Sequence, residues 1–485
     1  MEQENVWKRY DEAQLAELEE LAAGYIDFIS EHKIEREFAA GAIELAEQAG
    51  YVSLEQAIES GQKLGPGSKV WWHTHGKALV LVQIGTQPIQ DGLNILGAHI
   101  DSPRLDVKQN PLYEANDFAL LDTHYYGGIK KYQWATIPLA IHGVIAKTDG
   151  TVVPVTLGER EDDPVFVITD LLPHLGAEQM KKTGAKIVEG EALDVLVAGR
   201  PLVIAAEEGE GAGDGPDEDA ADNAPAWEKL AKKEPVKANL LRILAESYGV
   251  AEEDFLSAEL EVVPAGRARE LGFDRSMILG YGQDDSVCAY PSLLAQLHCP
   301  QTERTAVTLL VDKEEIGSVG ATGMESLFFE NAMAEIMQLA GEGGQIALRR
   351  ALASSKMLSS DVSAGFDPLY ASVYESKNSA YLGRGLVFNK YTGARGKSGS
   401  NDASAEFVAE VRRVMDDAGV AYHTAELGKV DIGGGGTIAY IPARYDMDVI
   451  DSGVAVLSMH APWEVTSKAD LYEAYKGYCA FLLNA

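Results

Sequence analysis

Five places along the 485-residue chain set metal-binding side chains at or just beyond the end of an apolar segment. In Gly97-Ala98-His99-Ile100-Asp101-Ser102-Pro103, His99 closes a run that reads as a buried strand, and Asp101 stands two residues on, where it can face the same side. An imidazole nitrogen suits zinc, and a nearby carboxylate can fix the ring's tautomer. In Gly282-Gln283-Asp284-Asp285, the adjacent acids taken alone read as a helix N-cap. In Val311-Asp312-Lys313-Glu314-Glu315-Ile316-Gly317, two consecutive carboxylates follow an apolar run and precede Gly320 and Gly323. That segment reads as a solvated loop or as a site, where one acid holds metal and the other works as general base. Leu358-Ser359-Ser360-Asp361 offers an acid that alone would be a turn or cap residue. Leu457-Ser458-Met459-His460 ends a further apolar segment, some way after the glycine run Gly433 to Gly436.

Each signal is weak singly. Two histidines and three carboxylates, all at strand edges, are together what a two-metal hydrolase needs. Two cations about 3.5–4 Å apart require a bridging carboxylate and about two further ligands each. A sheet can aim all five at one crevice.

The elements that would position them are legible in part. Leu15, Leu18, Ala22, Tyr25, Ile26 and Ile29 form one helical stripe, and Ile34, Phe38, Ala42, Leu45 and Ala46 a second. Ala78 to Ile84 and Leu93 to Ala98 are β-rich runs suited to strands buried on both faces. From about Tyr113 to Val155, aromatic and alternating segments with Gly turns suggest a β-rich module. Residues 207–224 are an acidic, Gly-rich run too polar to order itself, which predicts a mobile loop. A helix is predicted over Val236 to Ser247, after the breaker Pro235, and a strand over Leu260 to Val263. Strand and helix then alternate: Ala306 to Val311, Met324 to Leu339, Gln345 to Ser355, Lys356 to Ser360, and a strand or short buried element at Val454 to Met459. Such alternation marks an α/β layer fold.

Composition narrows the function. Hydrophobic residues make up 46% of the chain, enough for a large core, and the length allows two or three domains. A formal charge of -34 argues against nucleic acid and anionic membrane surfaces as partners. Residues 1–12 lack the apolar core of a signal peptide, and no stretch approaches the roughly 20 apolar residues of a membrane span. Cys288, Cys299 and Cys479 lack ligand-like spacing and read as buried thiols. A cytoplasmic protein is expected.

In these residues the chain resembles the aspartyl aminopeptidase family of zinc peptidases, which includes bacterial and vacuolar relatives. The matching segments are HIDSPRLDVK at 99–108, YYGG followed by Trp134, LLPHL at 171–175 and GYGQDD at 280–285. They continue with DKEEIGSVGATG at 312–323, SSD at 359–361, GGTI at 435–438 and VLSMH at 456–460, in the family's order. The resemblance implies a zinc-exopeptidase-like α/β domain, a central mixed sheet flanked by helices, built from residues 1–107 and 265–485. It implies an inserted β-rich dimerisation domain over 108–264. It makes His99, Asp284 and Asp361 ligands of one metal and Asp284, Glu315 and His460 ligands of the other, with Asp284 bridging. Glu314 would be the general base, and Asp101 would orient His99. His174, in Pro173-His174-Leu175, would reach a neighbouring subunit's site within a tetrahedral dodecamer. Two divalent ions per subunit are implied, Zn2+ foremost, with Co2+ or Mn2+ as alternatives. The substrate would be a peptide with a free N-terminus.

The chain departs from the family at Ile100, where Thr is usual, and at Asp285, where Asn is usual. It has Ala135-Thr136-Ile137 where aspartyl-type members carry an Asp-Arg pair. None of these removes a ligand, but they leave the preferred N-terminal residue open. The competing readings are a dinuclear carboxypeptidase or deacylase, and a non-catalytic shell protein that inherited the assembly.

Overall fold

The computed structural model describes residues 4–204, 226–392, 395–426, 428–433 and 435–485. The acidic run at 207–224 lies outside the described residues. The chain divides into two compact units, Met1–Pro103 with Arg267–Ala485, and Arg104–Gly266.

In the larger unit a nine-stranded mixed sheet runs in the order Val52–Ser53, Lys69–Thr74, Ala78–Gln83, Thr305–Val311, Leu93–His99, Lys356–Ser360, Asp448–Gly453, Leu386–Asn389, Tyr422–Thr424. Its four central strands, Thr305–Val311 through Asp448–Gly453, are parallel. Antiparallel neighbours bound them, Ala78–Gln83 on one side and Leu386–Asn389 on the other. Alternate residues enter two cores: Leu79 and Leu81 pack on one face, Val80 and Val82 on the other. The first core is closed by helices that include Glu12–Glu31, Glu35–Gln48, Gln283–His298 and Lys468–Asn484, the second by Phe328–Leu339 and Gln345–Ala353. The architecture is the expected mixed sheet flanked by helices.

Local chemistry explains where the elements start. Asp11 and Gln14 close a capping box on the first helix, which buries Leu18, Ala22, Tyr25, Phe28 and Ile29. The expected stripe is therefore shifted slightly, with Leu15 and Ile26 only half-buried and Phe28 in the core. The helix expected from Met324 begins at Phe328, because residues 324–327 are spent on turns. Of the element expected at Val454 to Met459, only Ala455–Val456 is strand. Cys288 and Cys299 are buried as expected, but Cys479 is half-buried; all three thiols are free.

The smaller unit holds a six-stranded antiparallel sheet, in the order Val152–Leu157, Leu139–Ala146, Ala258–Pro264, Arg104–Ala115, Phe118–Tyr126, Val195–Ala198. The helix Pro235–Tyr248 starts on its proline, whose missing N–H costs nothing at that position. Arg104 is buried against Glu261 at 2.8 Å and Asp106 at 2.9 Å, with its guanidinium over the Tyr126 ring.

Candidate metal centre

Strands Thr305–Val311, Leu93–His99 and Lys356–Ser360 are parallel neighbours, with His99 opposite Val311 and Gly97 opposite Ser359. Their carboxyl ends therefore open on one sheet edge, where ligands of α/β sheets gather. His99, the Glu314-Glu315 pair and Asp361 all leave from that edge. Asp284 enters from the start of the helix Gln283–His298. His460 comes from the turn between Ala455–Val456 and Glu464–Ser467.

The five expected ligands meet. Asp284 is buried between the two imidazoles: Oδ1 lies 3.2 Å from His99 Nε2 and Oδ2 lies 3.2 Å from His460 Nε2. Glu315 Oε1 is 3.4 Å from His460 Nε2, and Asp361 Oδ1 is 3.9 Å from His99 Nε2. Glu314 has a carboxylate oxygen within 4.8 Å of ligand atoms of His99 and Asp361. His174, by contrast, is exposed on a turn of the smaller unit.

Two further acids hold the ligand-bearing backbone. Asp101 accepts hydrogen bonds from the Glu314 and Glu315 amides at 3.1 and 3.2 Å, and its carboxylate lies 3.4 Å from His99 Nδ1. It thus holds the backbone of the acid pair, while its main-chain carbonyl lies 2.9 Å from His99 Nδ1. Glu464, which the sequence reading passed over, accepts from the Asp284 amide at 3.0 Å and from the His460 amide at 2.7 Å. Only the pairing of Glu464–Ser467 with Met277–Gly280 brings it there, across 180 residues of sequence for the Asp284 contact. The N-cap reading of the Asp284-Asp285 pair is corrected: Gly282, at φ 69°, holds the N-cap position, and Asp284 points into the crevice instead. His460 and Ser458 also adopt left-handed backbone, at φ 64° and 59°. Non-glycine residues at such angles cost about 1–3 kcal/mol each and persist where the surroundings over-determine them.

The electrostatics call for a cation. Burial pushes Glu314 up to about 7 and Glu315 and Asp361 well above the carboxylate range, and neighbouring anions add to each. Burial also opposes ionisation of Asp284, but hydrogen bonds from His460 and His99 hold it well below its usual value. Burial would lower His99, yet Asp101 and Asp284 raise it well above the imidazole range. Glu315 Oε1 is buried without a hydrogen bond. Tetrahedral ligands held about 2.0–2.1 Å from zinc stand about 3.3 Å apart, close to the His–carboxylate separations seen here. The donor set of imidazole nitrogens and carboxylates fits zinc.

The model of the family described as aminopeptidase I zinc metalloprotease (M18) matches residues 28–482. A probable M18 family aminopeptidase 1 of Clostridium acetobutylicum is 55% identical over 483 residues, covering 100% of this chain and 98% of the relative. The crystal structure of aminopeptidase I from that organism superposes with a TM-score of 0.88 at 53% identity, each chain covered fully at 100%. The M18 aminopeptidase structure from Thermotoga maritima gives a TM-score of 0.90 at 42% identity, again with 100% of both chains covered. The mApe1 dodecamer of S. cerevisiae shares the fold, with a TM-score of 0.72 at 18% identity over 95% of this chain and 96% of the other. Among the described residues, no helix is long and apolar enough to cross a membrane.

Proposed function

The chain belongs to the M18 aminopeptidase I family of zinc metalloproteases and is an aminopeptidase, and we propose that it removes N-terminal residues from peptides at a dinuclear centre. The reading rests on Asp284, whose two oxygens each face a different imidazole at 3.2 Å. His99, Asp284 and Asp361 would hold one ion, and Asp284, Glu315 and His460 the other. Zinc is the family's metal, while cobalt or manganese would suit the carboxylate-rich donor set as well. Bound there, the ions would supply Lewis acidity, which polarises the scissile carbonyl and lowers the pKa of water toward about 7.

Glu314 does the proton work. Half-buried, with a carboxylate oxygen within 4.8 Å of ligand atoms of His99 and Asp361, it is placed to accept a proton from the attacking water. It then passes that proton to the departing amine. Asp101 keeps Glu314 in place through the backbone amide it binds. The family resemblance supports assembly of copies toward a dodecamer through the smaller unit, with His174 of a second copy helping to bind substrate or stabilise the oxyanion. The free thiols suit the reducing cytoplasm, which is where we place the protein.

The test is Glu314→Gln, assayed on aminoacyl anilides with N-acetylated controls, before and after chelation and metal return. We expect wild-type metal content and turnover reduced by roughly 10²–10⁴. Near-normal turnover in the variant would sink the base assignment. Cleavage of acetylated substrates by the wild type would point to a deacylase instead.

A further inference from the structure

Behind the five ligands lies a further acid to which the mechanism gives no task. Asp285 is fully buried, with 0% of its surface exposed. Neither carboxylate oxygen has a hydrogen bond of ordinary geometry. The groups closest to favouring its anion through hydrogen bonding are the weak Cys288 thiol donor and the His99 amide. Cys288 and, beyond it, Tyr478 are groups that burial keeps protonated and neutral. Toward the crevice the situation differs: single oxygens of Asp284, Asp285 and Asp361 all lie within 4.8 Å of one another.

A carboxylate taken out of water without a strong donor or a counter-ion is costly. Among the described residues, His99 is the basic group whose charge favours the Asp285 anion, and an imidazole that ligates metal is neutral. An ion held beside Asp284 and Asp361 would supply that compensation.

We propose that Asp285 is a further anionic contributor to the ion position shared by His99, Asp284 and Asp361, and that it makes this position tighter and more selective for hard cations than its twin. This rests on the dinuclear reading above. One position then carries one imidazole and three carboxylates, the other one imidazole and two. Oxygen-rich surroundings suit Mn2+, whereas a larger imidazole share suits Zn2+. The two ions of one centre would therefore differ in affinity and identity, with Asp285 setting the difference.

The experiment compares chelator-stripped wild type with Asp285→Asn and Glu315→Gln, each titrated calorimetrically with Zn2+ and with Mn2+, the bound ions counted by elemental analysis. Thermal unfolding of the stripped proteins checks that each variant is folded, and Asp285→Ser serves as a second variant. Wild type is expected to bind two ions. In Asp285→Asn one ion should bind as in wild type, while the other weakens by about 10–100-fold, with Mn2+ losing more than Zn2+. Glu315→Gln should weaken the opposite ion. Wild-type binding of both ions by folded Asp285→Asn and Asp285→Ser would overturn the inference and leave the dinuclear centre standing. A wild type that binds a single ion would overturn both.

Discussion

At the scale of single residues, the buried acids make the metal-free fold sensitive to pH. Glu314 is pushed up to about 7 and Glu464 to about 8, and Glu315 and Asp361 are raised well above the usual carboxylate range, all chiefly by burial. A raised carboxyl binds its proton more tightly folded than unfolded. Its stabilising effect is full below the usual carboxylate range and is lost as pH climbs through the raised value. His99, raised by its acid partners, acts in the same direction, and Asp284, held low, acts against it. The stripped protein should thus lose stability between about pH 4 and pH 8, where bound cations would restore it. Calorimetry should show a larger fall in Tm on chelation at pH 8 than at pH 5.5, and equal falls would contradict this account. Glu464 gives a second prediction. In Glu464→Ala the Asp284 and His460 amides lose their shared acceptor, so metal retention against a competing chelator should drop by about 10–100-fold. Unchanged retention would remove Glu464 from the positioning machinery. The contrast with His99 and Glu314 shows what a sequence can display. His99 ends a buried strand and Glu314 comes shortly after another, so a local pattern announces them. The task of Glu464 exists only because distant strands pair.

The elements constrain the centre through close backbone contacts. The strand Asp448–Gly453 runs parallel to Lys356–Ser360, and the Asp361 amide donates to Ser452 O at 2.7 Å. A Cβ on Gly453 would fall 1.9 Å from the Asp361 carbonyl oxygen, a backbone atom that cannot swing aside. Gly453→Ala must therefore push the two strand ends apart and displace a proposed ligand. We expect a lower Tm, in the range of about 1–3 kcal/mol that overpacking costs, together with weakened binding of one ion. A variant with wild-type Tm and metal content would show that the strands part freely. The same elements explain which parts of the fold were readable. The central strands are continuous apolar runs, and the first two helices carry one-sided stripes. The helix Lys468–Asn484 buries most of its circumference, including Lys468, Asp470 and Glu473, so no stripe marks it. The helix Ala405–Asp417 does bury a clear stripe, Phe407, Val411 and Val414, and the sequence reading passed over it.

At the scale of the whole molecule, the question is whether one chain suffices for turnover. Around His174 the smaller unit exposes Leu171, Leu172, Leu175 and Met180, at 54%, 52%, 71% and 71%. Four large apolar side chains so exposed around one turn are ordinary at a surface that meets another copy. The formal charge of -34 opposes such meetings, so assembly should strengthen as salt screens the repulsion, which light scattering across a salt series can follow. Activity can then be tied to assembly by mixing defects. His174→Ala keeps Glu314, and Glu314→Gln keeps His174; each alone should be impaired. If His174 serves a neighbour's centre, co-expressed variants will form some sites that pair an intact Glu314 with an intact His174. Random mixing of equal amounts makes that about one site in four in a symmetric assembly, and activity should recover to that extent. If His174 instead served its own chain, every site in the mixture would carry one of the two lesions, and no recovery would be seen. Purified mixtures that fail to exchange subunits provide the control, since they should stay as inactive as their parts.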